Sequence, residues 1–305
     1  MEVSKVQADV YGLRYRGLGV EETFTRIYDT GAWGQGSGAG SIPEHARAWV
    51  TFLKDFLQKE HIKSVVDLGC GDWQFSPLIY TDAASIRYCG YDCVASVVAA
   101  NQKNHPDFCF AHLEFSERAD ELQNAELYVL KDVLQHWTNQ RISRFIAELC
   151  LQKAPHGLRF VLLCNDMAPA GFRSVDVGDG GWRPLRADTL PLSAFRPEVL
   201  LQYQLPGAVK EVCVLRPERV NETVARMGQG VSVGSHLHAL ASSRETSERP
   251  GRCDSKLSRL SRCEVQCRTK RGAATFSAEV CTRRPGVCTS RKTRGRAAPR
   301  RGVNS

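Results

Sequence analysis

Several common features are missing from this sequence of 305 residues. It has no apolar run near the roughly 18–20 residues that span a bilayer, and its first residues lack the apolar segment of a secretory signal. It also shows no internal repeat and no heptad pattern. These absences predict an intracellular, cytoplasmic protein that does not enter membranes, and they leave its oligomeric state open.

Metal-ligand spacing is also missing, although the chain has 12 cysteines. The pair Cys263 and Cys267 has no matching second pair with histidines, so no zinc site is predicted. The cysteines of the first 221 residues stand singly in apolar or motif-like surroundings, which is typical of buried thiols rather than disulfides. These are Cys70, Cys89, Cys93, Cys109, Cys150, Cys164 and Cys213.

Charge is distributed unevenly along the chain, whose net charge is +8. Residues 222–305 hold 18 Lys and Arg against 6 Asp and Glu, a net charge of +12, which leaves −4 for residues 1–221. The basic tail has Phe276 as its only aromatic residue and cannot bury enough apolar surface to offset its ordering entropy. We therefore expect it to be disordered, either with weak non-specific contacts to nucleic acid or with no binding role.

Residues 1–221 alternate short β-type runs with helical patterns, which predicts one α/β domain with a mostly parallel sheet. Pro43 and Ser41 suggest the first turn and the cap of the first helix. The last two strands, joined through Pro206 and Gly207, read as a hairpin. The predicted strands are 64–68, 86–92, 108–115, 126–133, 158–166, 198–206 and 210–217, and the clearest helices are 44–60 and 139–153.

The stretch VVDLGCGDW (65–73) is typical of a buried strand followed by a tight turn. Gly69 and Gly71 would let the backbone approach a ligand closely. A dinucleotide site would have a third glycine where this chain has Gln74, so binding of NAD is disfavoured. Asp67 at the strand end would repel phosphates and suits a ligand with an amine.

A second acidic residue follows at the end of the next predicted strand. Asp92 lies 25 residues after Asp67, where its carboxylate could accept hydrogen bonds from both hydroxyls of a ribose. A ligand that combines an amine with a ribose is S-adenosylmethionine. The alternative is that Asp92 only caps a helix or a loop.

With these motifs the sequence resembles the class I S-adenosylmethionine-dependent methyltransferases over roughly residues 20–217. The resemblance implies a Rossmann-like fold, in which a mostly parallel seven-stranded sheet ends in an antiparallel hairpin. The segments that carry it are IYDTGAWGQGSGAGS (27–41), IKSVVDLGCGDWQFS (62–76), LYVLKDVLQHW (127–137) and GGWRPL (180–185), and together they look like a little-characterised family of small stand-alone methyltransferase domains.

The same resemblance implies roles for individual residues. The turn of Asp67, Gly69, Cys70 and Gly71 would hold the methionine part of the cofactor. The remaining roles are Asp92 for the ribose, Glu114 for the adenine amine, where the family more often has Asp, and Asp132 with Val133 for the wall of the pocket.

Candidates for the chemistry follow the fourth predicted strand. His136 is the best candidate for a general base, and it could instead pack beside Trp137 at a helix start. Asp132, Asn165 and Asp166 are alternative catalytic or orienting groups. The Asn/Asp-Pro-Pro-aromatic motif of enzymes that methylate planar amino nitrogens is missing here, so a small molecule or a glycan or peptide group is favoured over a nucleobase as acceptor.

Two outer segments have open interpretations. The glycine-rich residues 32–41 could be a lid over the cofactor or a plain linker. Trp182 and Arg183 could form an acceptor pocket or tie down their own loop. Two other functions also stay open, namely an NAD-dependent oxidoreductase and a nucleic-acid-binding protein that uses the tail.

Overall fold

The computed structural model describes residues 15–34, 36–81, 85–168, 171 and 175–230. The predicted disorder of the tail beyond Gly230, together with Cys263, Cys267 and Phe276, falls outside these residues.

Seven strands form one sheet in the order β3-β2-β1-β4-β5-β7-β6. The first five pair in parallel, and β7 runs antiparallel to both of its neighbours. This confirms the predicted mostly parallel seven-stranded sheet with a terminal antiparallel hairpin. The strands are β1 (Ser64–Leu68), β2 (Arg87–Asp92), β3 (Cys109–His112), β4 (Leu127–Lys131), β5 (Phe160–Asp166), β6 (Glu198–Leu205) and β7 (Ala208–Leu215).

Six α-helices accompany the sheet in the described part of the chain, and short 3-10 turns join several elements. The predicted helix 139–153 is observed with the same bounds. The last helix continues past residue 221, the predicted end of the domain, to Gly230. The helices are α1 (Val20–Asp29), α2 (Arg47–Lys59), α3 (Pro77–Tyr80), α4 (Ala95–Asn104), α5 (Asn139–Lys153) and α6 (Pro217–Gly230).

The expected start of the helix now labelled α2 is wrong. Ile42 precedes a proline and is extended, with φ −64° and ψ 131°, because the proline ring disfavours the helical conformation of the residue before it. The amides of His45 and Ala46 both donate to the Ile42 carbonyl, and the regular helix begins only at Arg47. Ser41 therefore does not cap this helix and belongs to a 3-10 turn, Ala39–Ser41.

Alternate side chains of the buried strands pack on opposite faces of the sheet. On one face, Val66 and Leu68 of β1 share a core with α1, α5 and α6. On the other face, Val65 packs in a second core with α2 and α3. Because both faces are covered, β1, β4 and β5 are buried almost throughout.

Strand order places the functional edge of the sheet. The strand β1 lies between β2 and β4, so the connections on its two sides leave in opposite directions. Ligands of doubly wound sheets bind at the carboxyl ends of the strands at such a reversal. The residues that follow β1, β2 and β4 are thus brought together by topology.

The α5 core contact can be tested with two substitutions on the same helix. Phe145 is fully buried, whereas Leu151 is 60% exposed. We expect Phe145→Ala to lower the free energy of unfolding by about 3–5 kcal/mol. Leu151→Ala should lower it by less than about 0.5 kcal/mol. Denaturant unfolding of the full chain measures both values, and equal losses would contradict the packing described here.

Candidate active site

One pocket lies at the carboxyl ends of β1, β2 and β4, with an empty volume of about 780 Å³ that includes solvent at its mouth. Asn165 and Asp166 do not line it. The predicted residues that do are Asp67, Gly69, Cys70, Gly71, Asp92, Glu114, Asp132, Val133 and His136.

The turn after β1 requires its two glycines. Gly69 and Gly71 have φ of 72° and 59°, in the left-handed region that side chains rarely adopt. A Cβ on Gly69 would lie 2.5 Å from Cγ2 of Val133, and one on Gly71 would lie 2.3 Å from Oγ of Ser37. The backbone of the turn is therefore in direct contact with the opposite wall of the pocket.

Asp92 ties this turn to the end of β2. One carboxylate oxygen accepts the Gly71 amide at 3.0 Å, and the other accepts the Val94 amide at 2.9 Å. Burial raises the pKa of Asp92, and these two amide bonds partly offset that effect. Each oxygen can accept a further hydrogen bond, so the carboxylate remains able to bind a ligand in the pocket that it lines.

Asp67 is buried at the end of β1. Its Oδ2 accepts a hydrogen bond from the Tyr88 hydroxyl at 3.0 Å, and that hydroxyl accepts one from Nε1 of Trp73 at 2.8 Å. Burial raises the pKa of Asp67 to about 6, against the lowering effects of Tyr88 and Lys131. Holding an ionised carboxylate out of water in this way costs stability.

Glu114 contributes a third carboxylate to the pocket, two residues beyond the end of β3. It is half-buried, and its Oε1 accepts the Ser116 amide at 3.0 Å. Since β1, β2 and β3 are neighbours, the three carboxylates follow three successive strands along one edge of the sheet.

Asp132, just after β4, is held by two lysines. It has φ of 61°, and its carboxylate pairs with Nζ of Lys131 at 2.6 Å and of Lys210 at 2.5 Å. Lys210, which is 3% exposed, also pairs with Asp166 at 2.7 Å. The two ammonium groups hold the pKa of Asp132 well below its usual range despite burial. Both carboxylates are thus engaged in ion pairs.

His136 has one ring nitrogen fixed by the backbone. Its Nδ1 lies 2.8 Å from the carbonyl oxygen of Gly181, and because a carbonyl only accepts, Nδ1 carries the proton. The lone pair of the neutral ring is then on Nε2. Burial lowers the pKa of His136, so the ring stays neutral to lower pH than a histidine in water.

The ring of His136 does not pack mainly on Trp137, which was the alternative interpretation. It contacts the rings of Trp33, with centroids 5.0 Å apart, and of Phe24, at 6.1 Å. Trp137 instead packs against Phe115 and Phe145 in the core. His136 is therefore placed on the pocket wall between α1 and the glycine-rich segment.

The glycine-rich segment, described at residues 32–34 and 36–41, lies against the pocket through Trp33, Ser37 and Ser41. Oγ of Ser37 donates to Asp72 Oδ1 and accepts the Asp72 amide, each at 2.8 Å. It also lies 2.7 Å from the Tyr28 hydroxyl. Nζ of Lys131 donates to the Gly40 carbonyl at 2.9 Å. The segment is thus attached to the turn after β1 and forms part of the pocket wall, and its role as a lid stays a prediction.

Trp182 and Arg183 do not line this pocket. Arg183 is 1% exposed and donates to the Trp137 carbonyl at 2.6 Å and to Oδ1 of Asn139 at 2.7 Å. Nε1 of Trp182 donates to Asp166 at 3.1 Å. These contacts match the interpretation in which both side chains tie down their loop.

Sequence reasoning missed two features of the site. One is the pocket wall made by α1, and the other is the pair of lysines, Lys131 and Lys210, beside Asp132. Val20, Phe24 and Tyr28 of α1 line the pocket at four-residue spacing, a helical pattern that was visible in VEETFTRIYD (20–29). Lys210 could not be found in this way, because only the antiparallel pairing of β7 with β5 sets it beside Asp166.

The described residues include no group of three or more His, Cys, Asp or Glu side chains placed to hold a metal ion. Within the same residues no helix has both the length and the apolar character needed to cross a membrane.

No protein-family model matches this chain, and no curated protein matches it significantly. Several solved structures are similar to it. The methyltransferase domain of bacterial CtHen1 is 16% identical with a TM-score of 0.44, over 56% of this chain and 98% of that one. Human N-acetylserotonin methyltransferase, in complex with SAM, is 17% identical with a TM-score of 0.44, over 69% of this chain and 64% of that one.

A third similar structure is magnesium protoporphyrin IX methyltransferase from Synechocystis PCC 6803 with bound SAH. It is 15% identical with a TM-score of 0.43, over 69% of this chain and 98% of that one. The fold of this protein is defined by its own strand order and its antiparallel β7. It is the Rossmann-like class I methyltransferase fold that the motifs lead one to expect.

The close contact of the turn with Ser37 can be tested at two left-handed glycines. Gly71 would place a Cβ against Ser37, whereas Gly157 has open space around it. Both alanine variants incur backbone strain of about 1–2 kcal/mol, and Gly71→Ala should lose about 1–3 kcal/mol more through overpacking. Denaturant unfolding measures the difference, and similar losses would show that the turn does not press on the segment.

Proposed function

We propose that this protein transfers a methyl group from S-adenosylmethionine to an acceptor that is a small molecule, or a glycan or peptide group. The observation that carries the proposal is the convergence of Asp67, Asp92 and Glu114 around the glycine turn, in one pocket at the edge of the sheet. Three carboxylates in this order are complementary to a ligand with an ammonium group, a ribose and an aromatic amine.

The residues present fit that ligand. Asp67 would hold the ammonium group beside the amides of the glycine turn. Asp92 would accept the ribose hydroxyls, and Glu114 would accept the adenine amine. Asp132 and Val133 would complete the wall. When bound, this cofactor supplies a methyl group on a positively charged sulfur, which is open to attack by a nucleophile.

The chain contributes orientation and a proton acceptor. Methyl transfer gains chiefly from holding donor and acceptor in line at close range, which is the role of the two walls of the pocket. Where the acceptor must lose a proton, Nε2 of His136 is the group to accept it. The bond to Gly181 fixes the ring proton on Nδ1, so the free lone pair of the ring is on Nε2. Asp132 and Asp166 are unsuited to this role since lysines occupy their carboxylates.

The end of β4 bears on which acceptors the site would favour. Enzymes that methylate amino nitrogens of bases commonly place a free polar side chain and an aromatic face there, in the motif that this chain lacks. Here the residues at that position are Lys131 and Asp132, which pair with each other. A nucleobase acceptor is therefore disfavoured.

The oxidoreductase alternative is less compatible with the site. A pyrophosphate binds at the N-terminus of a helix that follows the glycine turn, and here the next helix, α3, has only four residues. The carboxylates of Asp67 and Asp92 would also repel phosphate groups. The nucleic-acid alternative depends on the tail beyond Gly230 and stays a prediction.

Calorimetric titration of the full chain tests the proposal. We expect S-adenosylmethionine and S-adenosylhomocysteine to bind with micromolar affinity and NAD not to bind. Asp67→Asn keeps an acceptor for Tyr88 but removes the charge, and it should weaken binding by about tenfold or more. The control is Asp55→Asn on the exposed face of α2, which should bind like the wild type. A folded wild type that binds neither sulfur compound would overturn the proposal.

Binding should also depend on pH through Asp67. An ammonium ligand favours the ionised carboxylate, whose pKa in the free protein is about 6. Affinity should therefore be full well above pH 6 and fall as the pH drops below it, by about tenfold at pH 5. The difference between wild type and Asp67→Asn, measured by calorimetry with S-adenosylhomocysteine at about pH 7.5 and 5, isolates this group. Equal pH dependence in both proteins would exclude Asp67 as the partner of the ammonium group.

A further inference from the structure

The loop between β5 and β6 reaches back to the pocket wall at Gly180 and Gly181. The Gly180 amide donates to the His136 carbonyl at 3.0 Å, and the Gly181 carbonyl accepts Nδ1–H of the same residue at 2.8 Å. Gly180 thus holds the backbone of His136, and Gly181 holds its ring.

This part of the loop has no room to move toward α1. A Cβ on Gly180 would lie 2.2 Å from Cγ2 of Thr23 and 3.3 Å from Tyr15. Gly180 also has φ of 79°, which places it in the left-handed region. The loop therefore lies between α1 and His136, with its position set from the α1 side by close packing.

From the other side, the loop is held by Arg183. Its guanidinium donates to the Trp137 carbonyl and to Oδ1 of Asn139, the residues on either side of the junction between the His136 turn and α5. The Arg183 amide also donates to the Gln135 carbonyl at 3.1 Å. One residue thus joins the loop to the chain immediately before and after His136.

Further bonds hold the same loop to the start of α5. Arg141 pairs with Asp179 through two bonds, Nε to Oδ1 at 3.1 Å and Nη2 to Oδ2 at 2.9 Å. The Asn139 amide donates to Oδ1 of Asp176 at 2.8 Å. The paired geometry of Arg141 and Asp179 fixes orientation as well as distance.

Burying the charged side chain of Arg183 to hold this loop costs free energy. Its side chain is 1% exposed, and the nearest carboxylate oxygen of an ion pair, on Asp176, is 4.0 Å away. Its Nε has no partner among the described residues. Burial lowers the pKa of Arg183 to about 10. The guanidinium makes two directed bonds from one rigid plane, whereas the ammonium of a lysine is a point charge on a flexible stem.

We propose that Arg183 is a positioning residue for His136. Arg183 holds the loop so that the Gly181 carbonyl keeps the imidazole in the Nδ1–H tautomer, with Nε2 open to the pocket. The use of that tautomer in proton transfer rests on the function proposed above. The geometry itself does not, and it can be tested in the protein without any ligand.

The test is nitrogen NMR of the full chain labelled at its 8 histidines, with His136→Gln used to assign the His136 signals. In the wild type we expect one protonated and one unprotonated ring nitrogen, with the proton on Nδ1. In Arg183→Met the two nitrogen shifts of His136 should move toward each other, as the ring exchanges between tautomers. Arg183→Lys, which can still donate to the Trp137 carbonyl, should restore part of the difference.

The control is Arg144→Met, which removes an arginine from an exposed pair with Glu148 on α5 and should leave the His136 signals unchanged. If Arg183→Met folds and its His136 signals match the wild type, the proposal is wrong. Should Arg183→Met fail to fold, Arg183→Lys replaces it, because it keeps a donor for the Trp137 carbonyl and loses the paired bond to Asn139; a smaller convergence of the same signals is then expected, and unchanged signals would overturn the proposal.

Affinity for S-adenosylhomocysteine separates the two proposals. Arg183 does not line the pocket, so Arg183→Met should bind this compound within about twofold of the wild type, since truncations away from a binding surface change affinity little. A wild type that binds no S-adenosylhomocysteine but shows the fixed tautomer would remove the proposed function and keep the role of Arg183. A binding-competent wild type with exchanging tautomers would do the reverse.

Discussion

The carboxylate of Asp92 determines the shape of the pocket floor. By accepting the amides of Gly71 and Val94, it joins the turn after β1 to the start of the chain after β2. The turn could not reach this position with side chains at both glycines, because one would meet Val133 and the other Ser37. The pocket floor, the wall after β4 and the glycine-rich segment therefore fit together around this one backbone conformation of the turn.

Charge is arranged differently on the two sides of the pocket. Near the glycine turn, Asp67 and Asp92 are buried and hydrogen-bonded, with no ion pair to any described residue, and burial raises the pKa of both. Beyond β4, two lysines neutralise Asp132 and Asp166. A cationic ligand would thus meet carboxylates without a described ion pair on the first side, which would orient it in the pocket.

Much of this arrangement could be predicted from the sequence because it depends on local signals. The glycine turn, Asp67 and Asp92 are close in sequence to strong strand patterns, and β1 was located with its observed bounds. Ser41 was misplaced as a cap because the effect of Pro43 on Ile42 prevailed over the capping signal. His136 was recognised as a candidate, but its tautomer depends on Gly181, 45 residues away along the chain. No pattern of spacing reports such a contact.

The bonds of Ser37 have a kinetic meaning. The same hydroxyl group contacts Asp72 beside the floor of the pocket and Tyr28 on α1. These hydrogen bonds attach the glycine-rich segment at a point where two walls of the pocket meet. If a ligand passes this segment, these groups must separate and water must take over their hydrogen bonds. Exchange along that route would be a conformational step with its own barrier.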